Sequence, residues 1–200
     1  ITLSGSSLYS LDLTGTGDYT MTDASAAALG SVIVTNGELI APSATLSIGG
    51  SFDATGGVFT HSSGTVLFNS ADTGEFVDPG ANDFYNVIFG SAAGGWTLFS
   101  ATTTRNFALS SANSFTLASG ESLTVEGVFS NAVGGTATTW ANTQLILNSG
   151  TEYEIGAKTV ATELYENLQI GANTDVSMWN SSAVAVTVSP TGSLYSQDHA

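Results

Sequence analysis

The chain has 200 residues with 2 Lys+Arg against 17 Asp+Glu, a formal net charge of −15, and only 10% of its residues are charged at all. This balance excludes nucleic acid as a partner, because a binder must place clustered cations on phosphate, and Arg105 and Lys158 are the only two, 53 positions apart. Anionic membrane surfaces and acidic polysaccharides are disfavoured for the same reason, while hydrophobic residues at 42% supply enough apolar surface for a folded core.

In chain order, residues 1–4 already read as strand and 8–13 continue apolar and β-prone. Residues 24–29, with three consecutive alanines, are the best helical candidate, but about six residues before Gly30 are too few for a stable helix. Short β-branched or aromatic runs follow at 31–35, 46–48, 65–68, 86–89, 122–125, 144–147, 168–170 and 184–188, nearly all bounded by Gly, Asn, Asp or Ser. The last recognisable strand lies at 192–195, and no capping segment is evident at either terminus. Neighbouring runs leave no room for crossover helices, so the class is all-β. No run reaches the ~18 apolar residues of a membrane span.

An internal repeat organises these runs. Residues 8–13 recur at 84–89 and again, with one extra residue, at 164–170; residues 46–52 match 123–129; and Asn69-Ser70 matches Asn148-Ser149. The offsets lie between 76 and 80. The chain thus reads as one segment, 1–200, of about two and a half repeats of ~78 residues: 1–83 partial, 84–163, and 164–200 partial. Two architectures fit such a unit. One is a parallel β-helix, or β-solenoid, of about ten rungs, each repeat supplying about four. The alternative is a row of tandem immunoglobulin-like β-sandwich modules. Very short apolar runs, Gly and Asn at corners and a drifting period favour the solenoid.

The Gly-x-Leu turns (Gly37-Glu38-Leu39, Gly192-Ser193-Leu194), the L-x-[IV]-x-G strand, the Asn-Ser strand ends and the [FL]-Tyr element together resemble repeats of large bacterial extracellular proteins, adhesin-like or autotransporter-like. That resemblance implies a right-handed parallel β-helix at the cell surface and carries no catalytic residues. Composition points the same way. There are 27 Ser, 27 Thr, 12 Asn and 23 Gly, and no Cys, so the chain lacks disulfides, thiolate metal sites and cysteine nucleophiles. A chain beginning at Ile1 also reads as a piece of something longer.

Candidate chemistry is sparse. His61 has no second ligand nearby and reads as a turn residue, and a polysaccharide lyase would need cations beside the uronate that this chain lacks. No enzyme is expected and no cofactor is required. The acidic segment 72–83 offers Asp72, Glu75, Asp78 and Asp83 as oxygen ligands for calcium, although their spacing is not that of an EF-hand and a solvated turn explains it as well. Trp96, Trp140 and Trp179 fall near loops, where indole faces bind neutral sugars by stacking, whereas Tyr9, Tyr85 and Tyr165 share a repeat position and read as packed corners. The expected function is structural: an extracellular stalk, adhesin shaft or filament subunit, partnered head to tail with itself or with flanking repeats. A neutral-carbohydrate-binding module of a surface protein, with a cell-surface glycan as partner, is the alternative.

Overall fold

The computed structural model describes residues 1–149, 152–155, 163–178, 181–189 and 191–196. Every strand pairing among them is parallel, and no helix occurs. That rules out the sandwich alternative, whose sheets are antiparallel. The chain coils as a three-faced β-solenoid of about 8 turns. Ten rungs would require twenty residues per turn throughout, and several later turns run to 22–25 residues.

The first face stacks Leu8, Ser25–Ala28, Thr45–Ile48, Thr65–Phe68, residues 86–89, residues 106–109 and Phe129–Asn131. The second stacks Leu11–Leu13, Val32–Val34, Phe52–Asp53, Glu75–Asp78, residues 96–98, residues 115–117 and Thr138–Thr139. The third opens with Asp18–Thr20, Glu38–Ile40 and Val58–Thr60, and resumes with residues 102–104, Ser122–Val125, Gln144–Leu147 and residues 167–170 and 185–188. Glu152–Ile155, Asp175–Met178 and Ser193–Ser196 form a further three-stranded parallel sheet.

Strands of three or four residues suffice because each needs only two inward side chains. In Thr45–Ile48, alternation sends Leu46 and Ile48 inward and Thr45 and Ser47 outward. In-register pairing then stacks like on like: Leu46 on Val66, Val66 on Val87 and Val87 on Phe107 form one inward column, and Ile48 on Phe68 and Phe68 on Phe89 another. The alanines of Ser25–Ala28 join this ladder, not a helix, because their pairing with Thr45–Ile48 buries Ala26 and Ala28 beneath Leu46 and Ile48. Tertiary stacking overrides alanine's local preference.

Corners carry the special backbone. Gly37 has φ +71°, and a Cβ there would lie 2.4 Å from the Gly17 carbonyl oxygen of the preceding turn. Polar side chains tie successive corners together. Asn106 Nδ2 donates to Asn86 Oδ1 at 2.6 Å, Asn86 Nδ2 to Thr65 Oγ1 at 3.3 Å, and the Val128 amide to Asn106 Oδ1 at 2.7 Å. Asn82 accepts the Phe59 amide at 2.9 Å and donates to the carbonyls of Ala54, Gly57 and Pro79. Residues 1–4 are not a regular strand. They lie across the first turn, the Ile1 ammonium donating to the Thr20 carbonyl at 2.5 Å and the Thr22 amide to the Ile1 carbonyl at 2.9 Å.

The sequence repeat and the turns do not coincide. Residues 11–13 lie on the second face, their counterparts 87–89 on the first and 168–170 on the third. Each copy is therefore one face short of four turns, and equivalent residues of successive copies point in different directions around the axis.

Candidate functional site

The two tryptophans among the described residues that were candidate sugar platforms are core residues. Trp96 is 2% exposed and Trp140 3%. Trp96 packs edge-on against Phe89 at 5.3 Å between ring centroids, and Trp140 lies against Phe115, Phe129 and Tyr165 at 5.6, 6.3 and 5.0 Å. With both ring faces covered by protein, neither can stack on a sugar. Trp179 lies outside the described residues. The Nε1–H groups of Trp96 and Trp140 are buried with no hydrogen-bond partner among the described residues, consistent with positions chosen for ring volume.

The shared repeat position of the tyrosines gives three environments instead of one packed corner. Tyr9 is 83% exposed and Tyr85 is half-buried against His61, with ring centroids 5.6 Å apart. Tyr165 is fully buried. The face-to-face displacement of the repeat, together with the position of Tyr9 in the first turn, explains the difference. His61 Nδ1 accepts the Ser63 amide at 2.9 Å, as a turn histidine does.

The acidic segment is only partly a solvated turn. Glu75–Asp78 is a strand of the second face, and alternation places Glu75 on the side of the buried Val77 and Asp78 on the outer side with Phe76. The two carboxylates point apart and have separate partners. Glu75 accepts hydrogen bonds from the Ser51 and Ser70 hydroxyls, and Asp78 from the Ser100 hydroxyl and the Gly80 amide. Asp72 and Asp83 are exposed at the two ends of the segment. Among the described residues no three acidic or histidine side chains stand together in metal-holding geometry, so Asp72, Glu75, Asp78 and Asp83 do not assemble the expected calcium site.

Two other regions carry unassigned chemistry. One is the last described turn. Val186 and Val188 pair with Leu168 and Ile170, which are buried in the core, yet they are 40% and 41% exposed, and Leu194 is 37% exposed. Ser181–Val188 pairs on one side with Glu163–Ile170 and has no described partner on the other. At the opposite end, Leu11–Leu13 pairs among the described residues with Val32–Val34 alone. The second region is an open groove of about 410 Å³ at the start of the third face, lined from four successive turns by residues that include Glu121, Ser122, Asn142, Gln144, Asn167 and Thr187. Neither was legible as a motif, because both are assembled from residues roughly one turn apart.

Comparison with protein-family models, with curated proteins and with solved structures finds no match. Among the described residues no helix is long and apolar enough to cross a membrane.

Proposed function

We propose that this chain is a non-catalytic structural segment of an extracellular bacterial or archaeal surface protein, a stalk, adhesin shaft or filament subunit, whose turns continue head to tail with those of another copy. The adhesin-like and autotransporter-like resemblance of its repeats supports that setting. The observation that carries the reading is the last described turn, where core-lining valines lie on a parallel edge strand that has no second partner among the described residues. Such an edge is a template for another strand. Stacking a further turn on it would bury Val186, Val188 and Leu194 and satisfy a row of backbone N–H and C=O groups. The one-sided Leu11–Leu13 strand offers a parallel edge of the second face at the other end, so a head-to-tail contact pairs unlike edges and extends without closing. The net charge of −15 lies along the whole rod and opposes side-by-side contact, which directs association to the ends.

Sedimentation and negative-stain imaging across protein and salt concentration test this. The expected result is a series of axial oligomers of constant width that lengthens as salt screens the charge, with Val186→Asp/Val188→Asp remaining monomeric. A wild-type chain that stays monomeric at high concentration and high salt would overturn the proposal.

A further inference from the structure

We propose that the groove at the start of the third face binds a neutral oligosaccharide lying along the solenoid axis. Among the described residues, the side chains of Glu121, Ser122, Asn142 and Thr187 make no hydrogen bond, while Gln144 and Asn167 each use only part of their capacity. Gln144 Nε2 donates to Gln169 Oε1 at 3.0 Å, and Asn167 Nδ2 to the Thr143 carbonyl at 3.0 Å, which leaves Gln144 Oε1 and Asn167 Oδ1 as acceptors. The groove therefore presents hydroxyls, carboxamide oxygens and one carboxylate in a concave strip.

Its chemistry selects the ligand by elimination. An anionic ligand would meet the Glu121 carboxylate and no cation among the lining residues. An apolar ligand would leave these polar groups desolvated and unpaired. A metal ion would lack the cluster of acidic or histidine ligands it needs, since none exists among the described residues. A neutral polyhydroxylated chain matches both donors and acceptors. The groove crosses four turns spaced ~4.8 Å apart, a repeat close to the length of one sugar ring, so a linear glycan can present a hydroxyl to each turn.

The test is calorimetric titration of dilute, monomeric protein with neutral hexasaccharides of β-1,4-glucose, α-1,4-glucose, β-1,4-mannose and β-1,4-N-acetylglucosamine, with hexagalacturonate as the anionic control. At least one neutral hexasaccharide is expected to bind saturably, and hexagalacturonate is not. Glu121→Gln and Gln144→Ala should each weaken binding about tenfold, the effect of losing one good hydrogen bond, with the melting temperature little changed. Thr97→Ala, on the outer side of the second face, should leave binding intact and controls for general destabilisation. Absence of saturable heat with all four neutral sugars at millimolar concentration would overturn the proposal. So would stronger binding of hexagalacturonate, or affinity unchanged in both groove variants. Binding is read on the monomer, so its failure is independent of head-to-tail assembly.

Discussion

The early turns and the middle turns of this solenoid solve the same packing problem with different side chains. From Ser25 to Ile48 the core is aliphatic: Ala26, Ala28, Val32, Val34, Leu39, Leu46 and Ile48. Register steps there are 20 or 21 residues, as from Ala28 to Ile48 and from Leu13 to Val34. From Phe52 onward the core becomes a continuous run of aromatic contacts through Phe68, Phe89, Phe107 and Phe129 to Tyr165. Register steps there vary from 18 residues (Leu168 to Val186) to 25 (Phe52 to Val77). Small aliphatic groups repeat as uniform columns. Aromatic rings pack stacked in one place and edge-on in another, so the backbone adjusts with register shifts after Phe89 and between Ser91 and Gly95. Regular turns thus follow from small, equal inward volumes, and irregular ones from large, unequal volumes.

The largest expected effect that would sharpen this contrast is at Phe89, whose ring touches Phe68, Trp96, Phe107 and Phe115 at centroid distances of 5.0 to 5.7 Å. Phe89→Ala should destabilise the fold by about 3–5 kcal/mol in denaturant titration. A loss near 1 kcal/mol would show that the aromatic column is not the main support of the middle turns. Next comes Gly94→Ala, at the bulge. A Cβ there would lie 2.2 Å from the Trp96 ring and 2.6 Å from the Ser70 carbonyl oxygen, so a loss of about 1–3 kcal/mol is expected. A neutral outcome would mean that the bulge does not accommodate the indole. The smallest effect belongs to the aliphatic turns: Ile48→Val should cost about 0.5–1.5 kcal/mol, since removal of one methylene leaves the column in register. A cost as large as that of Phe89→Ala would erase the distinction between the two regions.

The same contrast governs how much of the molecule could be read from its sequence. Apolar runs at 46–48, 65–68, 86–89, 122–125 and 144–147 announced themselves because alternation and bounding turn residues are local signals, and those strands are present. Ser25–Ala28 did not read as a strand, because a run of alanines becomes one only when a neighbouring turn stacks on it. Trp96 follows Gly94-Gly95, which reads as a loop, but Gly94 makes room for the buried ring and does not expose it. The acidic segment looked like one ligand set, whereas strand alternation divides Glu75 from Asp78. The groove left a faint trace: Ser122, Gln144 and Asn167 are one column at turn spacing, each followed directly by a buried Leu. That column is visible only once the turn length is known.

End-to-end growth through the last described turn is tested most directly by hydrogen exchange read by mass spectrometry in dilute and in concentrated, high-salt protein. The account predicts that amides of Ser181–Val188 and Leu11–Leu13, each lacking a pairing partner on one side among the described residues, exchange fast in the dilute chain and become protected together on concentration. Residues 86–89 and 107–109, paired on both sides, should be protected equally under both conditions. Protection that fails to appear at both edges, or that appears instead along the outer faces, would contradict head-to-tail assembly.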